Sequence, residues 1–381
     1  RFRLEHQPCH RALDDVLATA DLLHLLIERA GSFGVCGLDD LIGLPKMGGH
    51  PQAAKLRLTD SLPRSPGVYM FRDRNGHTLY VGKATNLRSR VRSYFSGDSR
   101  QKVGQLLRET ERIDHVVCPT PLEAAVLEVR LIHRFEPRFN RQSTTWRRYV
   151  YLKLTNEAFP RLSVVRVIRP DGAFYLGPLP SSKSAKRVAE AIETAIPLRR
   201  TAARPDTTEA EYAPLAAMVR RALLHEPTLL LGPLEARMHT LAAAERFEAA
   251  ADMRDLAAAL TAAMRRQRRF DALRHAGQVI LEIDGRSGAE LNQGRLVRAW
   301  TLSRTGTTNV PLPIDLDPGA PDALFAPGEP LPKALADELA CVVAWLDKEA
   351  GRIRVVHADR GLASAYPALP TFEPVPVASM R

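Results

Sequence analysis

The chain has 381 residues, with 54 Lys and Arg against 43 Asp and Glu, giving a formal net charge of +11. At 25% charged and 45% hydrophobic it has the composition of an ordinary soluble protein, long enough for two to four domains. No apolar run reaches spanning length and no leader is visible, so a membrane protein is excluded and a cytoplasmic one expected. Cys9, Cys36, Cys118 and Cys341 are scattered with no CxxC pair, which argues against a disulfide framework and against a zinc or iron–sulfur site. The positive excess favours a polyanionic partner, nucleic acid first; a generally arginine-rich composition is the plainer alternative. The start at Arg1 rather than Met reads as a fragment.

Apolar spacing predicts a helix over 1–30, then a Gly- and Pro-punctuated linker over 31–61. Residues 62–142 carry a compact pattern. Strand GVYMFRD turns through Arg74-Asn75-Gly76 into strand HTLYVGKA, and Asn86 caps the helix LRSRVRSYF. The helix QKVGQLLRETERI, the strand DHVVCPT and the helix PLEAAVLEVRLIHRF follow, the last with Pro121 near its start and Pro137 beyond its end. Residues 143–200 read as strands followed by a helix over 183–196, and 199–214 as a polar linker. The 201–275 region is helical and Ala-rich from 215, and 276–381 mixes strands, a loop over 317–332, a helix near 333–348 and a last strand. The expected class is an α+β multidomain protein: a small antiparallel sheet flanked by helices, a β-rich extension, a helical hairpin and a C-terminal α/β segment.

The stretch from Gly67 to Val91 aims two tyrosines and a lysine at the mouth of a basic helix. Cutting a phosphodiester requires a water that loses a proton, in-line attack, and positive charge against the phosphoryl oxygens. One divalent ion on a carboxylate supplies much of that charge. A phenol, with a pKa of about 10, is a poor base unless a nearby cation lowers it. Tyr69 and Tyr80 fall on adjacent strands, Lys83 at a strand end, and Arg90 one turn after Asn86. Glu128 sits on an otherwise apolar and basic helix, and Asn140 follows it. Singly, each has a plain reading: strand aromatics pack, helix arginines are solvated, and a lone Glu forms a salt bridge. The ordered set carries the weight.

That set resembles the GIY-YIG nuclease family, with GVY (67–69) and YVG (80–82) holding Val where the family name has Ile. LPRSPGVYMFRDRNGHTLYVGKATNLRSRVRSYF and LEAAVLEVRLIHRFEPRFN look like the UvrC-type branch, the incision subunit of bacterial nucleotide excision repair. The resemblance implies that Tyr69 and Tyr80 flank the nucleophilic water, either being the base. It implies that Lys83 supports the phenolate, Arg90 stabilises the transition state, Glu128 binds one Mg²⁺ or Mn²⁺, and Asn140 completes the site. Six arginines and one acid, Glu136, lie between 130 and 148. Arg88, Arg92, Arg134, Arg138, Arg141, Arg147 and Arg148 are expected to track DNA phosphates, with Tyr94, Phe95 and Trp146 interleaved for base stacking or core packing.

The likeness continues through 149–200, but Arg200 stands where that branch places the first cysteine of an iron–sulfur cluster, so no cluster is expected. Residues 234–260 resemble the UVR motif, a helical hairpin by which UvrC-type proteins dock on a UvrB-like helicase subunit; Phe247, Met253 and Arg254 are the docking candidates. The second nuclease domain of that branch is not recognisable after 276: Glu282, Asp284 and Glu290 read as solvent-facing. HRALDDVLAT (10–19) resembles the last motif of DEDDh exonucleases, with His10 as general base and Asp15 as metal ligand, so 1–30 is read as the tail of such a domain. The resemblance implies a metal-dependent, structure- or damage-directed DNA endonuclease in repair. Two alternatives stand: a 3′→5′ polymerase III epsilon-like exonuclease with the GIY-YIG half as accessory, and a non-catalytic DNA-binding or partner-docking module.

Overall fold

The computed structural model describes residues 4–32, 35, 37–38, 41–42, 45, 51–96, 101–140, 145–198, 208–303, 306–309, 329–361 and 369–372. The chain forms two units, Arg1–Arg141 and Gln142–Arg381. Among the described residues no helix is long and apolar enough to cross a membrane.

The first unit opens with α1 (Ala12–Ser32). Its sheet is made of β1 (Gly67–Arg72), β2 (Thr78–Ala84) and β3 (Arg112–Val117), antiparallel in the order β2-β1-β3. The hairpin closes because Asp73 accepts the N–H groups of Asn75 and His77 at 2.8 and 2.9 Å, and because Gly76 takes a φ of +83°. As the central strand, β1 is buried on both faces. Tyr69 and Phe71 join a core with Leu79, α2 (Leu87–Arg92), α3 (Gln101–Glu109) and the 3-10 helix Ala53–Thr59. Val68 and Met70 point the other way, as the period of a strand requires, and α4 (Pro121–Phe135) packs on β1 and β2. Asn86 Oδ1 accepts the Ser89 N–H at 3.0 Å to cap α2, and Thr120 caps α4. Glu136, with a φ of +44°, ends α4 just before Pro137.

In the second unit, β4 (Val150–Leu154), β5 (Leu162–Val165) and β6 (Phe174–Leu179) form an antiparallel sheet in the order β5-β4-β6. It packs on α5 (Ser182–Ala195), and the helices α6 (Glu209–Leu224), α7 (Thr228–Ala243) and α8 (Phe247–His275) share its core. The expected linker over 199–214 is shorter than the composition suggested. Thr208 and Glu211 close a reciprocal capping box, so the helix starts at Glu209 and carries Pro214. A second antiparallel sheet, β7 (Gln278–Ile283), β8 (Ser287–Asn292), β9 (Arg295–Ser303), β10 (Gly306–Asn309) and β11 (Ile353–Ala358), runs in the order β10-β9-β8-β7-β11, with α9 (Lys333–Glu349) beside β9.

Candidate active site

Two glycines let the site form. Tyr69 pairs with Gly82 across the β1–β2 ladder, and a Cβ on Gly82 would lie 2.5 Å from the Tyr69 hydroxyl. A Cβ on Gly67 would lie 2.1 Å from the Val116 carbonyl oxygen of β3. The bare backbone at 82 allows the Tyr69 ring to lie across β2, where it meets Tyr80 and Tyr94. The three rings form a triangle with centroids 6.2, 6.1 and 6.1 Å apart, and the Tyr69 and Tyr94 hydroxyls are 2.8 Å apart. The Arg90 guanidinium lies over the Tyr94 ring at 5.2 Å. Tyr94 is a buried member of this cluster rather than a base-stacking surface aromatic, and Phe95 is core. The i, i+4 spacing from Arg90 puts the Tyr94 and Arg90 side chains on one face, but does not by itself show that this face meets Tyr69 and Tyr80.

Burial, and then the neighbouring Tyr80, pushes the Tyr69 hydroxyl up to about 12. Burial and then Tyr94 raise Tyr80, with Glu128 adding to it, while burial and then Tyr69 raise Tyr94. The phenols are therefore neutral hydrogen-bonding groups at pH 7, and the cation-lowered phenol expected from the sequence is not what these residues produce by themselves. Lys83 is turned to Glu128 instead: its ammonium sits 2.8 Å from Oε2 and its N–H donates to Oε1 at 3.1 Å.

The outer edge of β2 explains Asn140. Its Oδ1 accepts the Val81 N–H at 2.9 Å and its amide donates to the Val81 carbonyl at 2.8 Å, while the Phe139 N–H donates to the Leu79 carbonyl at 3.0 Å. With Glu128 on the Lys83 N–H, side chains replace the strand that an edge lacks. In this structure Asn140 fixes the backbone of the β2 edge.

Among the described residues no group of three or more His, Cys, Asp or Glu could hold a metal. A divalent ion here would have Glu128 as its one carboxylate and water for the rest of its shell, which suits magnesium. The carboxylate fits that use: it is half-buried, oriented by a backbone N–H, and neutralised by an ammonium that a cation could replace.

The arginines separate. Arg88 and Arg92 are 7% and 3% exposed, so the expected phosphate contacts are corrected: α2 turns them inward with Leu87 and Val91, and the Arg88 guanidinium donates to the Asp60 carbonyl at 3.1 Å. Arg134 is exposed beside Phe135; Arg138 is exposed, stacks on Phe139 and pairs with Glu109. Arg147 and Arg148 are exposed on the second unit, and Trp146 packs on that unit's core. Arg141 lies outside the described residues.

His10 precedes α1 rather than sitting in it, with a φ of +62°, and Asp15 accepts the N–H groups of Cys9 and His10 at 3.1 and 3.2 Å as a cap. Phe247 is 68% exposed where α8 begins, Met253 packs partly on the core, and Arg254 is held by Asp255 at 2.7 Å. Glu282, Asp284 and Glu290 pair separately with Arg354, Arg352 and Arg298 and form no common site.

Residues 65–141 match the UvrC-like GIY-YIG domain, and over that stretch the chain belongs to this family. A Mycobacterium tuberculosis protein that carries the name bifunctional exonuclease/endonuclease is 36% identical over 95% of this chain and 60% of its own length. UvrABC system protein C of Streptococcus pneumoniae is 32% identical over 54% of this chain and 37% of its own. The chain thus spans 60% and 37% of the lengths of these two curated relatives. The N-terminal endonuclease domain of Thermotoga maritima UvrC, solved with magnesium as its catalytic cation, is similar over 22% of this chain and 92% of that one, at 33% identity and a TM-score of 0.21.

Proposed function

We propose that the chain is a divalent-metal-dependent DNA endonuclease acting in repair, hydrolysing a phosphodiester to a 5′-phosphate and a 3′-hydroxyl. The observation that carries this reading is the tyrosine triangle under Arg90, with a single oriented carboxylate, Glu128, at the same strand edge. Arg90 is exposed and faces the phosphoryl group, where developing charge strengthens its hydrogen bonds. Tyr80 is less buried than Tyr69 or Tyr94, so a water from solvent reaches it first. The Tyr69 and Tyr94 rings, joined by their own 2.8 Å hydroxyl contact, pack against the Tyr80 ring and fix its position. A divalent ion at Glu128 would supply positive charge against the phosphoryl oxygens. Lys83, 2.8 Å from the Glu128 carboxylate, holds it at the strand edge until a cation takes its place. Arg134 and Arg138 line the phosphate path outside it.

Phe247, exposed where α8 begins, supports docking of a UvrB-like helicase subunit at the α7–α8 hairpin. His10 and Asp15 are engaged in capping α1, which leaves the exonuclease reading with no assembled site among the described residues. The test is incision of labelled damaged, flapped and plain duplexes with Mg²⁺ or Mn²⁺, beside Glu128→Gln and Tyr69→Phe. A discrete internal nick that falls at least 100-fold in Glu128→Gln, as loss of a charge-stabilising group predicts, is the expected result. Equal nicking by Glu128→Gln would overturn the assignment.

A further inference from the structure

Three cations of the second unit are brought together without a counter-charge. The antiparallel ladder pairs Tyr151 of β4 with Val165 of β5, so Arg148, just before β4, and Arg166, just after β5, leave the ladder at the same end. The start of α9 is tied to that end as well. The Tyr151 hydroxyl donates to the Leu331 carbonyl at 2.7 Å, and Tyr149 donates to Asp337 one turn into the helix. That places Lys333, the first residue of α9, close enough to Arg166 for the two charges to act on each other; burial and then Arg166 hold the Lys333 ammonium below its ordinary value.

Among the described residues none of Arg148, Arg166 and Lys333 has a carboxylate partner, although the two acids nearest in sequence to Lys333 could have served. Asp337 is taken by Tyr149, and Glu329 acts on Arg274. Like charges held side by side repel. Here the fold adds to that repulsion, because α9 presents its positive end at the same place, with no acidic residue in its first turn and no side-chain cap. Elsewhere on this unit Arg187, Arg298 and Arg352 do have acidic partners, in Glu190, Glu290 and Asp284.

We propose that Arg148, Arg166 and Lys333 form a second seat for the nucleic-acid backbone, outside the tyrosine site, where neighbouring phosphates supply the missing counter-charge. The identity of the polyanion rests on the endonuclease reading; the surface itself rests on the unpaired cations. It reads no sequence, since phosphate contacts position a duplex without distinguishing bases.

The experiment measures binding of a labelled plain duplex by the full chain carrying Glu128→Gln, without divalent metal, between about 50 and 200 mM salt. Each phosphate contact contributes about 0.9 to the slope of log affinity against log salt. The combined Arg148→Gln, Arg166→Gln, Lys333→Gln variant should lower that slope by about two to three and weaken binding about tenfold or more at low salt. An unchanged slope overturns the proposal. As a control on folding, Arg166→Glu gives Lys333 a counter-ion: its melting temperature should hold or rise while DNA binding falls, and retained binding would count against the seat. In the Glu128-intact background the triple variant should still nick when DNA is saturating, with only KM raised. Loss of slope in a chain whose parent nicks nothing would sink the endonuclease reading and leave this surface standing; nicking with an unchanged slope would do the reverse.

Discussion

Tyr69 shows what burial does to a phenol before substrate arrives. Its hydroxyl is pushed up to about 12 by desolvation and by Tyr80, against about 10 for a free tyrosine. Between those two values the unfolded chain has lost its proton and the folded chain has kept it. The folded state therefore binds more protons there, and stability falls as pH rises. The contribution is complete below about pH 10 and is lost by about pH 12; it amounts to roughly 2–3 kcal/mol. We expect the urea midpoint of the native chain to drop steeply above about pH 10, and Tyr69→Phe to flatten that drop. A Tyr69→Phe profile that parallels the native one would show that this phenol is not the group responsible. The same logic explains why Tyr69 and Tyr80 could be identified from sequence as a pair but Tyr94 could not. Strand period and hairpin register place the first two, whereas Tyr94 joins them only because a short helix folds back over the sheet.

At the level of elements, β2 and α4 depend on close approach. Gly82→Ala would drive a Cβ into the Tyr69 hydroxyl, and a side chain held between Phe71, Tyr80 and Tyr94 has nowhere to go. We expect it to destabilise the first unit by about 1–3 kcal/mol, as overpacking does, and to cut nicking further by displacing the triangle; calorimetry and incision assays measure the two effects separately. On α4, Glu123 is 2% exposed, and burial, opposed by Arg130, lifts its carboxyl to about 7. A carboxyl raised in this way favours the fold while it is neutral. Its contribution is present below the ordinary carboxyl value and is lost as pH rises through about 7. Glu123→Gln should leave the melting temperature nearly unchanged at about pH 4 and raise it at about pH 8; an equal shift at both would assign the effect to packing instead. Much of this architecture was legible from local chemistry: the Asn86 cap, the Asn75-Gly76 turn, and Pro121 and Pro137 bracketing α4. The Thr208–Glu211 capping box was legible too, but lay within a stretch whose polar composition reads as a linker. The edge role of Asn140 was not legible, because it depends on which strand is outermost, and a single sequence does not display sheet order.

Over the whole molecule, the +11 charge pointed to a polyanion, but net charge does not say which cations face it. Arg88 and Arg92 were among the arginines expected to track phosphates, and the 3.6-residue period of α2 turns them into the core. Arg166 and Lys333, far apart in the chain, meet on one surface through a ladder register and a helix start. On the proposed assignments part of the phosphate-binding charge lies in the second unit, apart from the catalytic groups of the first, and the two contributions should separate experimentally. A fragment of residues 51–141 contains the whole tyrosine site, Glu128, Asn140 and the stretch matched by the family. It should nick a duplex at a saturating rate within a few-fold of the full chain, because the groups around the scissile bond are unchanged. It should need more DNA to reach that rate, and its apparent affinity should depend less steeply on salt, since fewer counterions are released when fewer phosphates are neutralised. Parallel salt series of KM for fragment and full chain measure this directly. Equal slopes would place all the useful positive charge beside Arg90, Arg134 and Arg138, whereas a full-chain slope steeper by two or more would require phosphate contacts from the second unit.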